Sequence, residues 1–195
     1  SFSANHMVWT MPPSAQQLEN EKYWEMKVRA WKIEREREER LKTIAQDLVS
    51  HFMSRGQKGK AMVVSIDKAT ALKMHGYVSK YWDEYKKELI TKKANTTQPE
   101  KKAVLDRQIK YMDETDMALI VSQGQNEISE MKSKGLDITP HRKRMMSEDM
   151  EKKFKNPDDS FRIVFVCAMW MTGFDVPSCS TIYLDRPMRN HTLMQ

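Results

Sequence analysis

The sequence lacks the features that mark secreted, disulfide-bonded and membrane-spanning proteins. Its two cysteines, Cys167 and Cys179, are too few for a disulfide framework in a chain of 195 residues. It has no apolar run near the roughly 18 residues that a membrane-spanning helix needs, and no recognisable signal peptide. We therefore expect a protein of the reducing cytoplasm that does not associate with a membrane.

Two signatures of catalytic or metal sites are also missing. No G-x-x-x-x-G-K-[ST] sequence occurs, and the segment Gly56–Lys60 is too short between its glycines to form such a phosphate-binding loop. The five histidines show no metal-ligand spacing among themselves or with the cysteines, so we expect no metal site in this chain.

Apolar runs and helical patterns alternate along the chain. Four short apolar runs predict buried strands: Ala61–Ile66, Met117–Ser122, Phe161–Cys167 and Thr181–Asp185. Helical patterns precede and separate most of these runs, over residues 14–54, 68–93, 102–113 and 142–155. Short strands without polar alternation, separated by helices, predict an α/β fold with a parallel sheet flanked by helices on both faces.

The N-terminal part differs from the rest in its charge pattern. We interpret residues 1–13 as a tag or linker: residues 1–7 are mostly small and polar and end in His6-Met7, as in an expression tag, and Pro12 and Pro13 then break any helix. Residues 14–56 form a charged helical lead-in, in which Trp24, Val28 and Trp31 recur at helical spacing. The lead-in is either a solvated helix with one apolar stripe or, as a functional element, a connector or a basic face.

The positive charge is a diffuse excess. The chain has 33 Lys and Arg against 27 Asp and Glu, a net charge of +6, which permits nucleic-acid binding without proving it. The densest cluster comprises His141, Arg142, Lys143 and Arg144, at the start of the helix predicted over residues 142–155. Basic residues there oppose the preference of a helix N-terminus for acids. Arg142, Lys143 and Arg144 are therefore a candidate patch for DNA or a partner, with a solvated surface as the alternative.

The loop after the third predicted strand contains groups suited to ligand binding. In parallel sheets, ligands bind where the strands end. Thr172 offers a hydroxyl to a phosphate oxygen, Gly173 lets the backbone approach a ligand, and Asp175 offers a carboxylate to a hydroxyl or a metal-bound water. By composition alone this segment could equally be an ordinary turn.

The segment 154–195 resembles the second motor domain of the R subunit of type I restriction-modification enzymes. Residues 170–177, Trp-Met-Thr-Gly-Phe-Asp-Val-Pro, are similar to that family's helicase motif V. Residues 183–189 and 191–195 are similar to its lead-in to motif VI. Residues 39–64 resemble the family more patchily, around motif IV.

The resemblance implies a RecA-like (P-loop NTPase-like) domain over residues 57–195. The parent subunit would be an ATP-dependent DNA translocase and type I site-specific deoxyribonuclease, working with a specificity subunit and a methyltransferase subunit. ATP and Mg²⁺ would bind between this domain and a first RecA-like domain of the same polypeptide.

The resemblance also assigns roles to individual residues. Thr172, Gly173 and Arg186 would contact DNA, and Gly173 and Asp175 would face the ATP side. Ser65 and Lys68, at the end of the motif IV strand, would hold a phosphate of the tracked DNA strand.

Two parts of the family's machinery are missing from this sequence. Motif VI runs Gln-x-x-x-Arg-x-x-Arg, and the chain stops at its first residue, Gln195, so we expect a domain truncated at its C-terminus. The nuclease residues are absent too. We expect the chain alone to be inactive, with no cofactor bound. Two alternatives remain: a non-catalytic α/β interaction module, or a domain of another superfamily-two helicase without a nuclease.

Overall fold

The computed structural model describes residues 15–167 and 176–185. The chain divides into two compact units, Ser1–Arg40 and Leu41–Gln195. Helix α1 (Ala15–Ser54) begins in the first unit and ends in the second. Within the first unit its apolar side chains are exposed, with Trp24 at 65% and Trp31 at 62% of their full accessibility.

The second unit contains a four-stranded sheet in which every neighbouring pair of strands is parallel. The strands are β1 (Lys60–Ser65), β2 (Asp116–Ile120), β3 (Phe161–Cys167) and β4 (Cys179–Leu184). Their order across the sheet is β2-β3-β1-β4, so β1 lies between β3 and β4. The prediction of a parallel α/β sheet is confirmed, and each strand lies within two residues of its predicted start.

Five further helices connect the described strands. They are α2 (Lys68–Ala94), α3 (Pro99–Glu114), α4 (Glu127–Ser133), α5 (Thr139–Ser147) and α6 (Met150–Lys155). Asp67 caps α2, because its side chain accepts a hydrogen bond from the Thr70 N–H at 2.7 Å. Pro99 starts α3, where its missing N–H costs nothing. None of the helices within the described residues is long and apolar enough to cross a membrane.

The single helix predicted over residues 142–155 is wrong. The backbone adopts an extended conformation at Glu148 (φ −121°, ψ 143°), and this separates α5 from α6. Asp149 then caps the new helix by accepting a hydrogen bond from the Lys152 N–H at 3.1 Å. The segment from His141 to Arg144 consequently lies inside α5, and helix α4 was not predicted at all.

The two faces of the sheet have separate cores. One face packs against α2, α3 and the end of α1, through side chains such as Val63, Ile163 and Phe165. The other packs Met62, Val64, Val164 and Val166 against Met150 and Phe154 of α6. In strand β4, half-buried and exposed side chains alternate, and Ile182 and Leu184 are exposed at 51% and 37%. We predicted a sheet covered by helices on both faces. Within the described residues, this holds for β1, β2 and β3.

The end of α1 belongs to the α/β unit. Leu41, Ala45, Leu48 and Phe52 recur at helical spacing and are at most 2% exposed. This apolar face is buried in the core, whereas the apolar side chains of the preceding charged stretch are exposed. The second compact unit starts at Leu41, within residues 14–56.

Candidate nucleic-acid interface

The strands end together at one edge of the sheet, which we call the carboxyl edge. Ser65 ends the central strand β1 and pairs in register with Cys167, the last residue of β3. The Asp185 N–H, just after β4, donates to the Val64 carbonyl at 3.0 Å. The last residues of β1, β3 and β4 therefore lie beside one another. This is where a parallel α/β sheet places its ligands.

Ser65 is buried at this edge, at 1% exposure. Its Oγ has no hydrogen-bond partner among the residues that the structure describes. A buried hydroxyl is usually paired, because leaving it unpaired costs about 1–3 kcal/mol. As far as the structure describes the chain, Ser65 thus holds a hydrogen-bonding group without a partner at the end of the inner strand β1.

Lys68 is the first residue of α2, three residues after Ser65. Its Nζ lies 3.6 Å from Oε2 of Glu127, and its side chain is 23% exposed. A separation of 3.6 Å is longer than a hydrogen bond, so the two groups interact through their charges. Lys68 therefore keeps donors available to a group arriving from solvent.

Glu127 contacts several groups of this edge, although no sequence pattern marks it as a site residue. Glu127 is 5% exposed, and its carboxylate accepts hydrogen bonds from Arg142 Nε at 2.6 Å and Nη2 at 2.9 Å. The Gly124 N–H donates a third, at 3.1 Å. Burial raises the pKa of Glu127, but the hydrogen bonds from Arg142 and Gly124 and the charges of Arg142 and Lys68 bring the pKa below its ordinary value. Glu127 is therefore ionised at neutral pH.

The three residues predicted as one basic patch are separated in the structure. Arg142 binds Glu127 and donates to the carbonyls of Val121 at 3.2 Å and Ser122 at 3.1 Å, just past the end of β2. Arg144 binds Asp116, the first residue of β2, at the opposite edge of the sheet. Lys143 lies between them and is exposed. Two of the three cations are thus engaged in ion pairs within the chain.

Arg144 belongs to a second ion-pair cluster, at the amino edge of the sheet. Its Nε donates to Glu148 Oε1 at 2.9 Å, and Lys153 Nζ donates to Glu148 Oε2 at 2.8 Å. Hydrogen bonds from Arg144 and Lys153 lower the pKa of Glu148 to about 2. Hydrogen bonds to Asp116 and Glu148 raise the pKa of Arg144 despite its partial burial. This cluster holds two cations and two anions.

The other predicted site residues fall outside the described residues. These are Thr172, Gly173, Asp175, Arg186 and Gln195. In the sequence, the first three come five to eight residues after Cys167, the register partner of Ser65. Within residues 15–167 and 176–185, no three His, Cys, Asp or Glu side chains are grouped so as to hold a metal ion.

The fold and this edge define the class as an α/β domain with a parallel sheet whose carboxyl edge carries polar and charged side chains. The family model described as "Type I restriction enzyme subunit R domain 3" matches residues 58–195. The chain therefore belongs to the type I restriction enzyme subunit R domain 3-like family, and the resemblance to R subunits is confirmed.

Two curated proteins are similar to this chain. One is the putative type I restriction enzyme MjaIXP endonuclease subunit of Methanocaldococcus jannaschii, 30% identical over 161 residues. The other is the type I restriction enzyme HindI endonuclease subunit of Haemophilus influenzae, 27% identical over 160 residues. Each match covers 81% of this chain, and the chain spans 12% of the length of each relative. No solved structure matches the chain.

Proposed function

We propose that this chain is the second RecA-like domain of an ATP-driven DNA translocase, and that its carboxyl edge grips the DNA backbone. The observation that carries the proposal is the position of Ser65 and Lys68 at and just after the end of β1. The buried Ser65 hydroxyl has no hydrogen-bond partner within the described ranges, and the Lys68 side chain is partly exposed. Membership of the R subunit domain 3 family supports the same role.

The charges of this edge suit a backbone grip. Lys68 and Arg142 face a single acid, Glu127, so the cluster has an excess of one positive charge. A translocase must hold DNA of any sequence, and phosphate contacts provide affinity without reading bases. By resemblance, Thr172, Gly173 and Arg186 add further backbone contacts in the motif V loop and after β4.

The remaining roles rest on the resemblance and on the names of the relatives. Motifs IV and V would contribute to DNA gripping and to one side of an ATP cleft, with Gly173 and Asp175 on the ATP side. The longer protein would use ATP and Mg²⁺, carry the nuclease and assemble with specificity and methyltransferase subunits in the cytoplasm. Both relatives are named as endonuclease subunits. The 195-residue chain alone is expected to hydrolyse no ATP, and DNA-stimulated turnover by a pure sample would contradict this.

The DNA grip can be tested by fluorescence anisotropy with labelled duplex and single-stranded DNA of mixed sequence. Between about 50 and 200 mM salt, we expect weak binding whose logarithm falls linearly with the logarithm of salt concentration. Lys68→Ala should weaken binding several-fold and reduce the salt slope by about one phosphate contact.

The matched control is Lys110→Ala, which removes the same charge from α3. Lys110 has a side chain that is 77% exposed and lies near Glu114, shortly before the start of β2 at the amino edge. Its loss should leave the salt slope unchanged. Equal effects of the two substitutions, or no DNA binding at low salt, would contradict the proposal.

A further inference from the structure

Glu127 occupies an unusual position for an acid in a surface meant for DNA. It is buried beside Lys68, and a carboxylate near a phosphate-binding lysine should repel the phosphate. Its contacts nevertheless show that Lys68 is not needed to satisfy it. Arg142 donates two hydrogen bonds and the Gly124 N–H donates a third, which meets the needs of a buried carboxylate.

The ammonium of Lys68 is held in place without losing its donors. An ammonium has three N–H donors, and at 3.6 Å none of them is committed to Glu127. The Coulomb attraction still restrains a side chain that is otherwise flexible and costly to order. The side chain is partly exposed, so the donors are accessible to a ligand.

Gly124 shapes the space in which this ammonium lies. A Cβ added to Gly124 would lie 2.9 Å from Lys68 Nζ and would push the amine aside. The glycine N–H meanwhile donates to Glu127, so one residue both fixes the acid and leaves room for the lysine. Three separate chain segments therefore fix the position of one amine: the start of α2, the loop after β2 and the first turn of α4.

A second observation at the same edge is independent of these contacts. The buried Ser65 Oγ, without a partner among the described residues, ends the strand that leads into α2. The net charge of Lys68, Arg142 and Glu127 is positive, and Lys68 keeps a partly exposed side chain, so its ammonium is the group that an arriving anion would meet. Phosphate oxygens suit an ammonium.

We propose that Glu127 is the positioning residue of this edge. Its carboxylate, fixed by Arg142 and Gly124, holds the Lys68 ammonium at the end of β1 so that the donors of that ammonium meet a DNA phosphate. The inference rests on the proposed function of the carboxyl edge and names the residue that prepares it. A simple charge effect predicts the opposite behaviour, because removing an acid from a DNA-binding surface should tighten binding.

The experiment compares Glu127→Gln with Glu148→Gln in the 195-residue chain. Both substitutions remove one negative charge from an acid that contacts two cations, but Glu148 belongs to the amino-edge cluster. We expect DNA affinity, corrected for the folded fraction, to fall about three- to tenfold for Glu127→Gln and to stay the same or rise slightly for Glu148→Gln. In a Lys68→Met background, Glu127→Gln should produce no further loss.

Gly124→Ala tests the same idea without changing any charge. Because the displaced atom is the end of a flexible lysine, the fold should tolerate the change, while affinity should fall about two- to fivefold. Gly76→Ala is the control, since a Cβ at Gly76 meets nothing within 4 Å. This pair also decides the matter should Glu127→Gln not fold.

The outcomes separate the inference from the proposed function. If Lys68→Ala weakens binding but Glu127→Gln matches Glu148→Gln and Gly124→Ala matches Gly76→Ala, the DNA grip stands and the positioning role is wrong. If Lys68→Ala leaves binding unchanged, the grip at this edge is wrong, and the positioning role with it.

Discussion

The two edges of the sheet use similar residues for different purposes. At the amino edge, Arg144, Asp116, Glu148 and Lys153 balance two cations with two anions. At the carboxyl edge, Arg142 and Lys68 share one anion, Glu127, and a buried hydroxyl on Ser65 has no partner among the described residues. A cluster with balanced charges fastens elements together, whereas a cluster with surplus charge and a partly exposed lysine is suited to an external anion.

Helix α5 makes the comparison direct, because it supplies an arginine to each edge. Arg142 and Arg144 are two residues apart, yet they contact opposite ends of β2. Neighbouring residues of like charge therefore take part in different networks. Charge density along a sequence is consequently a poor guide to a binding patch when the helix lies along a strand.

The largest difference between the edges should appear when each acid is removed. Glu127→Ala leaves Arg142 buried without its partner, so we expect the free energy of unfolding to fall by about 3–5 kcal/mol. Glu148 has a side chain that is 31% exposed, so Glu148→Ala should cost about 1 kcal/mol or less. Urea denaturation of both variants measures the two losses. Equal losses would mean that burial does not distinguish the two clusters.

A smaller effect is the pH dependence of stability, which we expect from the half-buried His75, between the two edges of the sheet. Burial, together with the neighbouring His141 and Arg144, lowers the pKa of His75 to about 4. The Met117 carbonyl and Asp116 raise the pKa, but by less. The ordinary pKa of histidine is near 6.5, so the folded state binds fewer protons between these values than the unfolded state does. The contribution of His75 to stability should therefore be largest above about pH 6.5 and fall by up to about 3 kcal/mol as the pH approaches 4.

The contribution of His75 can be isolated with His75→Phe. The ring already packs edge-on against Phe165 at a centroid distance of 5.2 Å, so an aromatic replacement keeps this contact. The loss of stability between pH 6.5 and 5 should shrink in the variant, measured by urea denaturation at each pH. That window lies above the ordinary range of the carboxylates, including Glu127 and Glu148. An unchanged pH profile would exclude His75 as the cause.

The smallest expected effect is on DNA binding by Arg144→Gln. The Arg144 guanidinium is committed to Asp116 and Glu148, so its removal should cost about 1 kcal/mol of stability and leave the DNA affinity and salt slope unchanged. Lys143→Gln, on the same helix and exposed, is the comparison for the loss of one charge. A drop of about one in the salt slope for Arg144→Gln would restore the basic patch as a single DNA-binding surface.

The fold could be predicted wherever the signal was a run of apolar residues. The strand Phe161–Cys167 was predicted with both of its bounds, because seven residues without a turn signal suit a strand covered on both faces. Helix α4 could not be predicted in this way. It has seven mainly polar residues and no repeated apolar face, and its buried members, Glu127 and Met131, are an acid and one side chain of the core.

The candidate site was predictable in part. Ser65 and Lys68 follow from the end of a strand and the start of a helix, and the motif V residues follow from the family resemblance. Glu127 was missed because nothing near it in sequence indicates burial: its partners Lys68 and Arg142 lie 59 residues before it and 15 residues after it. The break between α5 and α6 was also missed. Glu148 is extended there and binds Arg144 and Lys153, and these side-chain contacts form only in the folded chain.

The sequence by itself determined the parallel α/β architecture and the family, since both depend on local patterns: apolar runs, helical spacing and short motifs. The tertiary structure alone decided which charges are available. Whether an arginine faces solvent or an acid depends on the segments folded against it, and the cost of burying an unpaired charge forces each buried cation to find a partner. That requirement divided an apparent basic patch between two edges and brought Glu127, a residue without any sequence signal, to the centre of one of them.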